Sequence, residues 1–173
     1  MQKIILMGFM GAGKSYWGQK LAQALKHPFI DLDQYIEQQE GCSIPELFVQ
    51  KGETYFRAKE KSYLLELLDQ QEAFVLALGG GTPCQADILP LLLSSSTQLI
   101  FIDPPLAILQ ERLAQEAEGR PLLAQKKGPE RQLFIEQFWT QRRPYYIQAP
   151  YHFSGNQLEE LLALIPPLPK PEQ

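Results

Sequence analysis

The sequence predicts an α/β fold, a parallel sheet doubly wound by helices, and three observations carry that expectation. Short apolar runs recur along the chain, stretches with helical spacing lie between them, and a glycine-rich turn joins the first run to the first helical stretch. Strands covered on both faces read as continuous apolar runs, because neither face meets water. Strands alternating with helices need crossover connections, which lead to a parallel sheet.

Ile4-Ile5-Leu6-Met7, ending at Gly8, is the first expected strand. Phe29-Ile30 with its flanks, Phe74 to Leu78 and Leu99 to Ile102 are the next runs of the same kind. Trp17, Leu21, Ala24 and Leu25 form one helical stripe, and Leu106, Leu109 and Leu113 form another. Ser43-Ile44-Pro45-Glu46 matches a capping box with an early proline, so a helix is expected from Ser43 to about Lys51. A second helix should carry Phe56 to Leu68, which sets Arg57 and Glu60 one turn apart on one face. Between Gln115 and Pro129 the chain is polar and carries Gly119, Pro121 and Gly128. A connection of that length is either a functional lid or a disordered segment. Leu158, Leu161, Leu162 and Ile165 predict a packed terminal helix, and Pro166, Pro167, Pro169 and Pro171 stop it, leaving a disordered tail over 166–173.

With 173 residues, 45% hydrophobic and 21% charged, the chain has the makings of one domain, expected over 1–165. At that size folding buries roughly 70% of the unfolded surface, so neither a disulfide nor a structural metal is needed. Cys42 and Cys84 form neither a CxxC pair nor a zinc spacing and read as reduced thiols of a cytoplasmic protein. A formal charge of −4 and a pI near 5.3 argue against nucleic acid or a membrane surface as partner. Any anion site must then be a local exception. No secretory leader is expected at residues 1–7, and no apolar run approaches the ~18 residues of a membrane span.

Gly8-Phe9-Met10-Gly11-Ala12-Gly13-Lys14-Ser15 satisfies G-x-x-x-x-G-K-[ST] between an expected strand and an expected helix. The glycines let backbone N–H groups curl around phosphate, and the helix start adds its positive dipole end. Lys14 should reach the β- and γ-phosphates, and the Ser15 hydroxyl is placed to ligate Mg²⁺. This motif implies a nucleotide without naming a reaction. Asp31-Leu32-Asp33 follows the second strand, and period-two alternation would turn both carboxylates to one side. Asp31 could then hold the magnesium through water and Asp33 a hydroxyl of the acceptor; alternatively Asp33 caps the following helix and Asp31 is merely solvated. Gly79-Gly80-Gly81 marks either ligand approach to the main chain or a plain sharp turn. Arg57, Arg120 and Arg142, taken singly, are ordinary surface groups, although their forks suit a carboxylate or phosphate bidentately.

Together these residues resemble the shikimate kinase family. The likeness runs from the phosphate loop and Asp31/Asp33 to Gly52-Glu53-Thr54-Tyr55-Phe56-Arg57-Ala58-Lys59-Glu60, which fits G-E-x-x-F-R-x-x-E. Gly79-Gly80-Gly81, Arg120-Pro121-Leu122-Leu123 and Arg142-Arg143-Pro144-Tyr145-Tyr146 complete it, in the family's order, over about residues 4 to 160. The resemblance implies a P-loop NTPase fold with a five-stranded parallel sheet of order 2-3-1-4-5, substrate-binding helices over about 33–60 and a mobile lid over 115–129. It implies transfer of the ATP γ-phosphoryl group to the 3-hydroxyl of shikimate, toward chorismate and the aromatic amino acids, with one Mg²⁺ ion and a monomeric enzyme. It makes Lys14, Asp33 and Arg120 catalytic and gives ATP the contacts Gly11, Ala12, Gly13, Lys14, Ser15, Tyr16, Arg112 and Arg120. Arg112 would stack on adenine. Arg57 and Arg142 would hold the substrate carboxylate, Asp33 the ring hydroxyls, and Gly79, Gly80 and Gly81 the backbone contacts, with Glu60 orienting Arg57.

Two departures stand out. Tyr16 occupies a position where the family usually has threonine, so a hydroxyl contact to the α-phosphate is lost or moved. Phe153 to Gln157 reads Phe-Ser-Gly-Asn-Gln where a basic or proline-containing adenine contact is common, so weaker or backbone recognition is expected there. A P-loop kinase for gluconate or a nucleoside monophosphate would leave the triple glycine and the arginine motifs unexplained. A nucleotide-binding regulatory module would bind Mg-ATP without turnover. Arg120→Ala is expected to lower the maximal rate far more than shikimate affinity in steady-state kinetics; lost stability with kinetics intact would reveal a structural role.

Overall fold

The computed structural model describes residues 2–116 and 121–165. Five strands form one parallel sheet in the order β2-β3-β1-β4-β5. The strands are β1 (Lys3–Met7), β2 (Phe29–Asp31), β3 (Phe74–Ala77), β4 (Gln98–Ile102) and β5 (Tyr151–Phe153). β1 lies at the centre, where Ile5 pairs with Leu76 on one side and Leu99 on the other. Ile4 to Met7 are wholly buried, as an apolar run sandwiched between two helical layers must be. The first four strands lie where the apolar runs placed them. β5 had no such signal, since Tyr-His-Phe is short and interrupted by a polar residue. It forms because β4 offers an open edge, with Ile102 opposite Phe153.

Helices cover both faces: α1 (Lys14–Leu25), α2 (Leu32–Glu40), α3 (Ile44–Asp69), α4 (Ile88–Ser94), α5 (Leu106–Gln115), α6 (Pro121–Ala124), α7 (Gly128–Tyr146) and α8 (Leu158–Ala163). In α1 the buried stripe is Trp17, Gly18, Leu21 and Ala22, whereas Ala24, expected in it, is exposed. Gly18 sets this rotation. A Cβ there would collide with the Phe29 ring, so the absent side chain lets α1 close onto β2. The expected capping box is present, with Ser43 and Glu46 each capping the other's backbone N–H. The two helices expected over 43–51 and 56–68 are limbs of one broken helix, α3, bent at Gly52 (φ 81°, ψ 170°). α7 was not anticipated, because it buries only Ile135 and Tyr146 among its described residues and shows little amphipathic pattern. α6 falls inside the segment read as a lid. Residues 117–120 of that segment and the proline-rich tail 166–173 lie outside the described residues. No helix among the described residues is long and apolar enough to cross a membrane.

The bend at Gly52 is clamped from α2. The Glu40 side chain, 5% exposed, accepts hydrogen bonds from the Tyr55 hydroxyl (2.9 Å) and the Tyr63 hydroxyl (2.7 Å), and pairs with Lys51 (3.3 Å) and Lys59 (3.5 Å). Lys51, Tyr55, Lys59 and Tyr63 recur every four residues, so one face of α3 wraps the carboxylate on both sides of the bend. Hydrogen bonds from Tyr63 above all, then from Tyr55 and Lys51, lower the Glu40 pKa from 4.5 to about 2. A depressed carboxylate stabilises the fold above its unfolded pKa and loses that contribution as pH falls through the folded value. Glu40→Gln is therefore expected to cost about 1–3 kcal/mol in urea unfolding at neutral pH, with the difference from the parent shrinking as pH approaches 2. A cost that did not change with pH would mean that shape, not charge, carries the clamp.

Candidate active site

The turn after β1 is built to receive an anion. Gly13 stands at the N-cap of α1 in the left-handed region (φ 94°) and supplies no side-chain cap, so the first-turn N–H groups stay available. The Lys14 ammonium donates back to the carbonyls of Gly8 (3.0 Å) and Phe9 (2.9 Å), which holds the loop in its curl. Ser15 Oγ donates to Asp31 Oδ2 at 2.6 Å. A hydroxyl beside a carboxylate is an oxygen donor set suited to Mg²⁺, which takes few protein ligands and fills the rest with phosphate and water.

The two aspartates reach the cleft by a route the sequence reading did not foresee. Asp31 is the last residue of β2 and also the N-cap of α2, its Oδ1 accepting from the N–H groups of Asp33 (3.1 Å) and Gln34 (3.4 Å). Asp33 already lies in the first helical turn, so strand alternation does not govern it and it is not the cap. Helical turn and strand end still aim both carboxylates at one cavity of about 240 Å³, shared with Lys14, Ser15, Gly79 and Gly80.

Beyond Asp33 lies a second cavity of about 150 Å³. Arg57 and Arg142 face it from α3 and α7, and Ile44, Phe48 and Phe56 give it an apolar side. The triple glycine is its floor. A Cβ on Gly79 would stand 2.7 Å from Asp33 Oδ1, and one on Gly81 3.2 Å from Arg57 Nη2, so a side chain at either position would displace a group that faces the cavity. Arg57 Nη1 donates to Glu60 Oε2 at 2.8 Å; Glu60, 1% exposed, also accepts from Thr82 Oγ1 (2.5 Å) and Gln85 Nε2 (2.6 Å). The Arg142 guanidinium lies 3.8 Å from the centre of the Phe138 ring and forms no ion pair among the described residues. The Tyr146 hydroxyl, one turn on, donates to the Gly80 carbonyl (2.5 Å) and ties α7 to the glycine floor. Asp33, Gly79 and Gly80 line both cavities, which therefore form one crevice.

Burial first, then the charges of Asp31 and Glu60, raise the Asp33 pKa from 3.8 to about 6, against an opposing pull from Lys14. Arginines near the cleft would by themselves favour the ionised form. Arg57 instead spends its charge on Glu60, and carboxylates crowd Asp33.

On the far side of the cradle a third cavity, of about 460 Å³, is lined by Gly11, Gly13, Tyr16, Trp17, Arg112 and Asn156, with Glu116 at its edge. Arg112 Nη1 donates to the carbonyls of Gly11 (3.2 Å) and Ala12 (3.3 Å), so its guanidinium sits on the phosphate loop. Asn156 brings the 153–157 loop to the same cavity. Arg120 lies outside the described residues. Sequence reasoning passed over Phe138, Thr82, Gln85 and Trp17. The i, i+4 spacing of Phe138 and Arg142 was an available signal; nothing local marks Thr82 and Gln85 as partners of Glu60.

A family model described as "Shikimate kinase" matches residues 10–163. A shikimate kinase of Bacteroides fragilis (strain YCH46) is 40% identical over 160 residues, covering 92% of this chain and 88% of that protein. Among solved structures, a shikimate kinase from Bacteroides thetaiotaomicron superposes with a TM-score of 0.83 at 36% identity, covering 94% of this chain and 92% of that one. A shikimate kinase from Acinetobacter baumannii in complex with shikimate superposes at 0.82 with 31% identity, covering 95% and 92%.

An acid whose folded pKa is raised contributes stability that is complete below its unfolded pKa and is lost as pH rises through the folded value, here about 6. Asp33→Asn is expected to stabilise the substrate-free protein by about 2 kcal/mol near pH 8 and to leave it unchanged near pH 4 in urea unfolding. The same gain at both pH values would rule out the charge as its origin.

Proposed function

This chain belongs to the shikimate kinase family, and from that premise we propose how its crevice carries the reaction. The enzyme transfers the γ-phosphoryl group of ATP to the 3-hydroxyl of shikimate, giving shikimate 3-phosphate and ADP in the pathway to the aromatic amino acids. The observation that supports the assignment of roles is the continuity of the crevice, with Asp33, Gly79 and Gly80 common to its phosphate half and its acceptor half.

In this reading the N–H groups of Gly11 to Tyr16 hold the phosphate chain, and Lys14 moves from the loop carbonyls to the β- and γ-phosphates. Ser15 and, through water, Asp31 would hold one Mg²⁺ ion, whose chemistry there is to neutralise phosphate charge. Arg57 and Arg142 clamp the shikimate carboxylate, Gly79 to Gly81 offer main-chain contacts, and Arg112 lies against the adenine. Arg120 is assigned to the γ-phosphoryl oxygens. The shikimate oxygen forms a bond to the γ-phosphorus as the bond to the β-bridging oxygen breaks, and its proton passes to Asp33. Burial and the neighbouring carboxylates raise the Asp33 pKa in the ligand-free protein, which favours proton acceptance there. We take the enzyme to be a monomer and place it in the cytoplasm.

A coupled assay for ADP with shikimate, gluconate and a nucleoside monophosphate as acceptors is expected to show turnover with shikimate alone. Arg142→Ala should raise the KM for shikimate at least tenfold and leave that for ATP unchanged, since a charge-assisted hydrogen bond is worth about 1.5–3 kcal/mol. Turnover with gluconate and none with shikimate would overturn the reading.

A further inference from the structure

We propose that Trp17 is a nucleotide-binding residue whose indole N–H donates to the α-phosphate, an inference that rests on the kinase reading above. Trp17 is 8% exposed, and its ring is held edge-on by Phe153 (4.9 Å between centres) and Tyr16 (5.1 Å). That packing fixes which way the N–H edge faces. Its Cδ1 and Nε1 lie 3.5 Å and 3.7 Å from the point where a Cβ on Gly13 would stand, so the polar edge of the indole borders the turn of the phosphate cradle. Trp17 lines the cavity that also takes in Arg112 and Asn156.

An indole N–H can donate and cannot accept, and this one opens onto the cavity, since it is not among the buried atoms left without a partner. Here no described residue accepts from Trp17 Nε1, and Glu116, the acidic side chain among the cavity's described lining residues, is already engaged. Arg112 Nη1 lies 3.5 Å from the same point over Gly13, so two donors converge on one spot beside the loop. An anionic oxygen placed there would have the indole N–H and the guanidinium as neighbours. Along a nucleotide seated with its terminal phosphates at Lys14 and its base in the outer cavity, the group that passes this spot is the α-phosphate. Tyr16 does not compete for it: the side chain is 55% exposed, with its ring under the Lys20 ammonium at 4.5 Å.

Trp17→Phe keeps an aromatic ring in the packing and removes only the donor. By calorimetry the variant is expected to bind Mg-ADP about tenfold more weakly than the parent, to bind adenosine equally, and to keep the shikimate KM and the unfolding midpoint. Trp139→Phe leaves Trp17 as the sole tryptophan of the two in the chain, and its emission should change saturably with Mg-ADP. Unchanged ADP affinity in Trp17→Phe, or an equal loss for ADP and adenosine, would overturn the α-phosphate contact while leaving the kinase reading intact. A parent protein that binds no Mg-ADP would overturn both. Should Trp17→Phe unfold, the emission titration decides alone, and a flat response counts against the contact.

Discussion

Parallel strands put all their carboxyl ends on one rim of the sheet, and this crevice exists because β1, β2 and β3 end there side by side. Each strand end delivers one functional element. β1 runs into the phosphate cradle, β2 into the capping aspartate, and β3 into the triple glycine. Ligands of open α/β sheets bind at such a rim because the chain must turn there, leaving main-chain groups unpaired and side chains free to converge. The order β2-β3-β1 sets the spacing: β3 lies between the other two, so its glycines lie between the Asp31–Asp33 turn and the cradle.

A buried carboxylate then joins the rim to the helices. Glu60 receives Arg57, Thr82 and Gln85 at 2.5–2.8 Å, so α3 and the segment after β3 share one charge. A charge this deep is tolerable only when every oxygen is satisfied. That requirement fixes Arg57 over Gly81 and explains how a long flexible side chain comes to be aimed. Glu40 meets the same requirement along another stripe of α3, where it holds the two limbs at the Gly52 bend. Two carboxylates thus brace the helix that carries Arg57, half of the acceptor clamp we propose.

The site is assembled at some cost to the fold. Asp33 is crowded by Asp31 and Glu60, and its proton is held more tightly than in water. Glycines occupy positions 79 and 81, where a Cβ would crowd Asp33 and Arg57. Both features make sense where a ligand, rather than the protein, completes the contacts.

The sequence alone determined the class of fold, four of the five strands and the glycine-rich loop after β1, and it supplied the two arginines to which we assign the acceptor clamp. These are legible because they depend on near neighbours: apolar runs, a capping box at Ser43, glycine spacing before Lys14, and motifs in a recognisable order. Tertiary structure decided what depends on residues far apart in the chain. β5 needed the open edge of β4, the rotation of α1 needed Phe29 against Gly18, and Asp33 turned out helical because Asp31 ended the strand and capped the next helix. The partners of Glu60 and the raised Asp33 pKa arise from groups that only folding brings together. Local patterns record what the backbone must do, whereas the surroundings of a side chain depend on which distant segments arrive beside it.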